Sequence, residues 1–452
     1  MTATPQRRLR VVGIADTDSY VKWAAALLAA LDPEDWEVEL LVLDTPVVVS
    51  EQQQRAALAG TGLERVMRVT FAALGTRLAR QPPDAVLIAA RGPLVRVVAR
   101  LVAGLAPRPV LVSGLPGISV PATRKSLVYR TQCDLFVLHS RREVREFAAL
   151  ARSRGLSQRF ALTRLPFAAR SPARTGDRPE AGGFGPDRPV LADPPVPGAT
   201  TAAGRARTCT DLVFAAQAIV PRDRADRRRL AELLVRAARA DPSRRVVLKL
   251  RASAGEHQTH AEADPLTDLV ASLGPRPANL VFSTAPMATA LDSAEGLVTV
   301  SSTAAIEAVA RGIPVIALDT FGVSARLINE VFQGSGLYGG EEDVVARRFR
   351  HPSPAWLRDN YFHDAADDDV AVLLSALIAR RREGRLAAKP PLRRTGGALR
   401  DAWERKLVLG DRDRTVGGAV AGAIGMPVRG AVRALQRTRA AARRSMRLSR
   451  AA

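Results

Sequence analysis

Three consecutive hydroxyl residues stand where a short apolar segment meets a segment of helical pattern. Ser301, Ser302 and Thr303 follow the predicted strand Val298 to Val300 and precede the predicted helix Ala304 to Arg311. The first backbone N–H groups of a helix lack partners, and the positive end of its dipole favours an anion. The three hydroxyls could cap the helix and also donate to phosphate oxygens. We therefore predict a phosphate-binding turn here, with an ordinary capped helix as the alternative.

The residues that follow this turn add a carboxylate and a defined helix end. Glu307 lies one turn into the predicted helix, where it could accept hydrogen bonds from ribose hydroxyls. Gly312 is placed to end the helix, and Pro314 starts a predicted strand that runs to Leu318. Together they extend the prediction from a phosphate site to a nucleotide site.

The string from Val298 to Pro314 resembles the nucleotide-binding segment of GT-B glycosyltransferases, in which Glu-Ala is followed by Gly-x-Pro. Its paired serines look most like those of bacterial sialyl-, polysialyl- and Kdo-transferases, where they face the donor phosphate. The chain also resembles an actinobacterial family known only as "putative glycosyltransferases". The resemblance implies a nucleotide-sugar donor held by Ser301, Ser302, Thr303 and Glu307. It also favours a CMP-linked acidic sugar as that donor.

A second group of candidate residues follows the predicted strand Arg245 to Leu250. Lys249 and Arg251 share one face of this strand because side chains alternate along a strand. Two cations at the carboxyl end of a parallel strand suit a diphosphate or a sugar carboxylate. In the sialyl- and polysialyl-transferases the equivalent strand ends in a Lys-Pro-His-Pro-like motif, whereas here His257 and His260 come later. His260 is a candidate base, and a solvated loop is the alternative for this segment.

Two carboxylates follow the first predicted strand of the chain. An inverting sugar transfer needs a base that takes the proton of the acceptor hydroxyl. Asp16 and Asp18 are candidates for it, and Lys22 could hold an anionic acceptor. Asp18 could equally be the N-cap of the next helix. The segment lacks the spaced glycines of a dinucleotide fingerprint.

The predicted elements explain why these segments should converge. Apolar strands alternate with helices through residues 1–167, which indicates a parallel sheet covered on both faces. The segment from Gln52 to Arg80 is predicted to be largely helical. The loop Ser113 to Pro121 follows the fourth predicted strand and is either part of the acceptor wall or a structural turn.

A second domain repeats the pattern after a break in composition. Residues 168–209 are rich in proline and glycine and are predicted to be a linker or long loop. Residues 210–382 again alternate strands and helices and would form the donor domain, with 1–167 as the acceptor domain. We therefore predict two Rossmann-like parallel-sheet domains facing a cleft, followed by a basic, partly helical tail over 383–452.

The charge and the cysteine content of the chain limit which partners and which cellular compartment can be expected. The chain of 452 residues carries a net charge of +22 and two cysteines. From residue 380 onward we count 20 Lys/Arg and 5 Asp/Glu, so +15 of that charge lies in the tail. We predict a cytoplasmic protein without a transmembrane helix, whose tail either meets an anionic membrane surface on the inner face or is solvated. Neither a metal-ligand spacing nor a groove-reading nucleic-acid motif is found.

The resulting expectation is a metal-independent glycosyltransferase that uses a nucleotide sugar and no other cofactor. Its acceptor would be a cell-surface glycan or a glycolipid in polysaccharide biosynthesis. One alternative is a nucleotide-sugar epimerase on the same fold, which turns over its substrate without an acceptor. Another is a non-enzymatic basic protein that binds membrane or nucleic acid, with binding that falls steeply with salt.

Overall fold

The protein contains two parallel β-sheets, the first with seven strands in the order β3-β2-β1-β4-β5-β6-β7. The computed structural model describes residues 7–63, 66–165, 168, 209–250, 262, 264–389 and 397–448. All pairings in the first sheet are parallel. Its strands are β1 (Leu9–Ala15), β2 (Trp36–Leu43), β3 (Met67–Val69), β4 (Ala85–Ala89), β5 (Val110–Gly114), β6 (Leu135–Leu138) and β7 (Phe160–Leu162).

Helices cover both faces of this sheet, because alternate residues of each central strand are buried on opposite sides. In β1, Val11 packs in one apolar cluster and Val12 in another. The helices are α1 (Asp18–Ala29), α2 (Glu51–Leu58), α3 (Phe71–Arg80), α4 (Gly92–Ala103), α5 (Arg124–Val128) and α6 (Arg141–Ser153). The segment Gln52 to Arg80, predicted to be largely helical, contains two helices, and β3 separates α2 from α3. Gly60 and Gly62, both at positive φ, end the first of them.

The second sheet has six parallel strands in the order β10-β9-β8-β11-β12-β13. Its strands are β8 (Asp211–Ala215), β9 (Val246–Lys249), β10 (Leu280–Ser283), β11 (Ala294–Thr299), β12 (Val315–Leu318) and β13 (Tyr338–Gly339). Its helices are α7 (Arg224–Ala240), α8 (Leu266–Ala271), α9 (Met287–Leu291), α10 (Ala304–Ala310), α11 (Glu341–Val345) and α12 (Pro354–Asp359). The predicted fold class, two Rossmann-like parallel domains, is confirmed.

After the second sheet the chain returns to the first domain. Helix α13 (Val370–Arg382) buries Leu374, Leu377 and Ile378 in the same apolar cluster as Val11. On the way, Arg145 of α6 pairs with Asp359 at 2.5 and 2.7 Å. The first domain is therefore built from both ends of the described chain.

Two further helices form the tail, which is helical as predicted. Helix α14 (Gly397–Leu409) lies along α4, where Arg100 pairs with Asp401 at 2.6 Å and with Glu404 at 3.0 Å. Helix α15 (Val416–Leu448) then turns back along α14. Leu409 is fully buried in a cluster of the first domain, so this part of the tail belongs to that domain's surface.

Candidate active site

Asp16, directly after β1, is buried in an ion pair at the carboxyl edge of the first sheet. Its Oδ2 accepts from Nε of Arg91 at 2.7 Å, and its Oδ1 accepts from the Arg91 backbone N–H at 3.3 Å. Burial raises the pKa of Asp16 while Arg91 opposes that shift. Nη2 of Arg91 is buried and makes no hydrogen bond to any described residue. The pair thus fixes the Asp16 carboxylate, while the buried Nη2 group of Arg91 keeps hydrogen-bonding capacity that the described residues do not use.

Asp18 occupies a different environment only two residues away. It is the first residue of α1, is half-buried, and its carboxylate lies 3.5 Å from the Ser19 hydroxyl. The N-cap of α1 is Thr17, not Asp18, and its side chain makes no capping bond. Lys22, one turn later, is exposed on the same helix. Asp18 is therefore the more accessible of the two predicted bases.

The loop after β5 is held in shape by one buried carboxylate. Glu143, at the start of α6, accepts from the backbone N–H of Ser119 at 2.9 Å and from that of His139 at 2.9 Å. It also accepts from the hydroxyl of Tyr361 at 2.7 Å, which comes from the segment that returns from the second domain. Burial, with Glu143 close by, raises the pKa of Tyr361 well above its usual value. This network connects the predicted acceptor loop to the crossing segment.

His139, which follows β6, is a buried histidine that sequence reasoning did not single out. Its Nδ1 lies 2.9 Å from the Thr163 carbonyl, and its Nε2 lies 2.7 Å from the indole N–H of Trp23. The carbonyl of Leu115 also lies 2.9 Å from Nε2, so the ring is enclosed by one donor, the indole, and two carbonyl acceptors. Burial lowers the pKa of His139, which agrees with a neutral ring. We read it as a support of α1, because it is closed off from solvent.

On the donor side, the hydroxyl turn is ordered by bonds within its own domain. The backbone N–H and the hydroxyl of Ser301 both donate to Oε1 of Gln217, at 3.0 and 3.2 Å. Ser302 donates its backbone N–H to Thr299 at 3.1 Å, and its hydroxyl accepts from Ala304 at 3.2 Å. Several of the backbone N–H groups predicted to bind an anion therefore already donate to side-chain oxygens of the protein. Since α10 has only seven residues, its dipole adds little to the site.

Thr303 differs from the two serines. It is the N-cap of α10 in a helical conformation, and its side chain makes no capping hydrogen bond. A Cβ built on Gly117, in the loop after β5, would lie 2.9 Å from Cγ2 of Thr303. The acceptor loop of the first domain and the hydroxyl turn of the second are therefore in direct proximity, and any larger residue at 117 would collide.

Glu307 and Gly312 take the local roles that their spacing predicts. Glu307 is in the first turn of α10 and accepts from Arg311 at 3.4 Å. Gly312 has a φ of +73°, and the backbone N–H of Ile313 bonds back to the Ala308 carbonyl at 2.9 Å. This is the left-handed helix end for which glycine is suited.

The predicted cationic pair is described only in part. Lys249 is the last residue of β9 and is buried, with its ammonium group donating to the carbonyl of Leu250. Arg251 and His260 lie outside the described residues, as does His257. Strands β9 and β11 flank β8, so the backbones of Lys249 and Thr299 are about 10 Å apart. An extended ligand, more than a single phosphate, would span that separation.

Two residues that position the site were missed in the sequence. Arg91 follows β4 by two residues, and Gln217 follows β8 by two residues. Both lie at the carboxyl edge of a parallel strand, where ligands of open α/β sheets bind. Polar residues just beyond each apolar strand were the signal that could have found them.

Within the described ranges, His, Cys, Asp and Glu form no cluster of three suited to a metal ion. No helix in those same ranges has the length and apolar content needed to cross a bilayer.

Comparison with known proteins places the chain among sugar-modifying folds. A protein family described as "Putative glycosyltransferase (DUF6716)" matches residues 11–377. No curated protein matches the chain. A "putative UDP-N-acetylglucosamine 2-epimerase" from Listeria monocytogenes is similar over 85% of this chain and 99% of its own, at 11% identity and a TM-score of 0.51.

Two other solved structures are similar to this chain over most of its length. The UDP-GlcNAc 2-epimerase of Methanocaldococcus jannaschii, in complex with UDP-GlcNAc and UDP, covers 81% of this chain and 100% of its own at 10% identity and a TM-score of 0.50. The glycosyltransferase SnogD from Streptomyces nogalater covers 82% and 99% at 16% identity and a TM-score of 0.36. The predicted GT-B architecture is confirmed, whereas the resemblance to sialyl-, polysialyl- and Kdo-transferases stays a prediction.

Proposed function

The chain belongs to the family described as "Putative glycosyltransferase (DUF6716)", and from that premise we propose that it transfers a sugar from a nucleotide donor to a cell-surface glycan or glycolipid. The observation that carries the proposal is the proximity of Gly117 to Thr303. It brings the hydroxyl turn of one domain to the loop that follows β5 of the other. Donor phosphate and acceptor hydroxyl would then share one cleft.

The donor would bind at the carboxyl edge of the second sheet. The hydroxyls of Ser302 and Thr303 would donate to its phosphate oxygens, and Glu307 would accept from its ribose. Ser301 would act indirectly, because both of its donors are engaged by Gln217. Lys249 and Arg251 would offset the charge of the diphosphate or of an acidic sugar.

The acceptor would meet the carboxyl edge of the first sheet. We propose Asp18 as the base, because its carboxylate is accessible while that of Asp16 is closed into the pair with Arg91. The acceptor oxygen bonds to the anomeric carbon, its proton passes to the carboxylate, and the nucleotide leaves with the electrons of the broken bond. His260 is the alternative base.

The leaving nucleotide needs its growing charge stabilised in the transition state. Hydroxyl donors and cations held in fixed positions can supply that stabilisation without a metal. We therefore propose a metal-independent transfer. A CMP-linked acidic sugar is our preferred donor because of the paired serines, and a UDP-linked sugar is the alternative that the Methanocaldococcus neighbour brings forward.

Ligand-induced thermal stabilisation tests the donor site directly. CMP, UDP, GDP and their sugar derivatives are added in turn, and one of them is expected to raise the unfolding temperature of the full chain. Thr303→Val should weaken that nucleotide about tenfold or more, since a hydrogen bond to a charged group is lost. Thr267→Val makes the same change on α8 and should leave binding unaltered. Absence of any shift with every nucleotide would contradict the proposal.

An epimerase is the second candidate, because two structures with this fold are UDP-GlcNAc 2-epimerases. Incubating the protein with UDP-GlcNAc and no acceptor separates the two reactions. Inversion at carbon 2, read by NMR, would establish the epimerase. A transferase releases nucleotide only when an acceptor, or water in its place, takes the sugar.

A further inference from the structure

The outer side of α15 exposes an apolar stripe formed by Val416, Val420, Ile424 and Val428. Their exposed fractions are 81%, 48%, 55% and 60%. A spacing of four residues places them along one side of a helix. Of the eleven large hydrophobic residues exposed in the described part of the chain, seven lie on α14 or α15. The exposure is therefore concentrated on this hairpin.

The opposite side of α15 is already used for packing within the protein. A Cβ on Gly425 would lie 2.4 Å from the ring of Trp403, and one on Gly418 would lie 2.3 Å from the carboxylate of Asp413. Ala421, on the same side, is 2% exposed. Gly425 thus lets α15 approach α14 closely and Gly418 lets it approach the turn between the two helices, and these contacts leave the apolar stripe facing away from the protein.

The charge of the same segment has a single sign. Residues 416–452 contain eight arginines and no aspartate or glutamate. They also contain no phenylalanine, tyrosine or tryptophan. An apolar stripe on a strongly basic helix is typical of segments that lie in the interface of an anionic bilayer.

We propose that the α14–α15 hairpin docks the protein on the surface of an anionic lipid bilayer, with the apolar stripe below the headgroups and the arginines among them. A second copy of the chain is disfavoured because both copies carry the same strong positive charge in this segment. Nucleic acid is disfavoured because exposed valines gain nothing from phosphates and aromatic side chains for base stacking are absent from the segment.

The attachment of the hairpin adds an orientation to this docking. Arg100 of α4 holds Asp401 and Glu404 of α14, and Leu409 is buried in the first domain. Helix α4 begins at Gly92, directly after Arg91 of the candidate site. The membrane face and the proposed acceptor side are therefore parts of one domain. The docking itself does not depend on the proposed transfer reaction.

Vesicle cosedimentation of the full chain tests the proposal. Strong binding is expected to vesicles of phosphatidylcholine mixed with the anionic lipid phosphatidylglycerol, and weak binding to phosphatidylcholine alone, because each basic residue near an anionic surface adds to the attraction. The double variant Val420→Gln/Ile424→Gln keeps the charge and should weaken binding about tenfold. Val372→Gln, on the exposed side of α13, is the matched control and should bind as the wild type does.

Three outcomes would overturn the proposal. One is the absence of binding to anionic vesicles by a correctly folded chain. Another is unchanged binding by the double variant at an unchanged unfolding temperature, because the stripe would then be irrelevant. The third is a wild-type dimer in light scattering that the double variant converts to monomer, since the stripe would then join two copies.

Discussion

At the scale of residues, the two candidate carboxylates that follow β1 differ in burial, and this difference suits them to different roles. Asp16 is closed into a pair with Arg91, whereas Asp18 stays accessible two residues later. The first is suited to fixing a cation and the second to accepting a proton. On the donor side Gln217 does for Ser301 what Arg91 does for Asp16, because it engages the groups that would otherwise be free to move.

The raised pKa of Asp16 predicts a sign for the pH dependence of stability. Below the unfolded pKa of about 3.9, Asp16 is protonated in both states. As pH rises through its folded pKa, ionisation of the buried group is less favourable in the folded than in the unfolded state, so wild type loses stability. Asp16→Asn stays neutral and should gain stability relative to wild type as pH rises above about 4, as measured by urea unfolding.

Asp359→Asn provides a control of opposite sign. The bond from Arg145 lowers the pKa of Asp359, so its ionised form stabilises the fold above the unfolded pKa. That stabilisation is lost as pH falls through the folded pKa. Asp359→Asn should therefore be less stable than wild type at pH 7, with a difference that shrinks toward pH 3. The same slope for both variants would contradict the assignment of Asp16.

Residues of the candidate site could be predicted from the sequence where they directly follow a recognisable strand. Asp16 and Ser301 both follow short apolar strands, and parallel strands bring such positions to one edge. Their partners could not be found in this way. Arg91 meets Asp16 because β4 pairs with β1, and Gln217 meets Ser301 because β8 pairs with β11. Which strands become neighbours is a long-range property that local pattern does not contain.

At the scale of elements, close packing of helices depends on a few small residues. Helix α15 contacts α14 through Gly422 and Gly425, and the turn before it through Gly418. The sequence shows that this segment contains several glycines. Which glycines face a ring, and which face a flexible chain, follows only from the pairing of the two helices.

Two glycine variants should separate these cases. Gly425→Ala would place its Cβ 2.4 Å from the Trp403 ring, so the hairpin should open and α15 should be cut faster by trypsin. Gly422→Ala meets only the flexible chain of Lys406, at 3.4 Å, and gains helix propensity of about 1 kcal/mol. It should be cut no faster than wild type. Equal cleavage of both variants would show that the contact with Trp403 does not hold the hairpin.

One strand is not anticipated from the sequence. The segment Gln52 to Arg80 is largely helical in prediction, but Gly60 and Gly62 take positive φ and Met67–Val69 forms an edge strand between the two helices. A strand of three residues is too short to show an alternation of its own. It is specified by pairing with β2, which no local window can contain.

At the scale of the whole molecule, the first domain is completed by residues that follow the second. Helix α13 places Leu374 and Ile378 in the same cluster as Val11. The linkage is reinforced by Tyr361, which donates to Glu143 beneath the acceptor loop. The two domains are thus connected by the returning chain as well as through the cleft.

A substitution late in the chain should therefore unfold the first domain. Ile378→Ala removes a side chain that is 1% exposed and should cost about 2–5 kcal/mol in urea unfolding. Val372→Ala, on the exposed side of the same helix, should cost less than about 0.5 kcal/mol. The fluorescence of Trp23 and Trp36, both in the first domain, reports the effect after the other two tryptophans are replaced by phenylalanine. A loss of similar size for Val372→Ala, which slightly favours the helix, would show that the effect of Ile378→Ala does not come from its burial in the first domain.

The return of α13 and α14 also dictates an order of events on the ribosome. About 200 residues separate β7 from α13, so at about 5–20 residues per second the first domain waits on the order of 10–40 s for its last core helix. The second domain is synthesised in that interval and can fold before the domain that precedes it. A nascent chain that stops short of residue 370 would expose an apolar face of the first domain to chaperones and proteases. The first domain can therefore complete its core only when the last part of the chain has been translated.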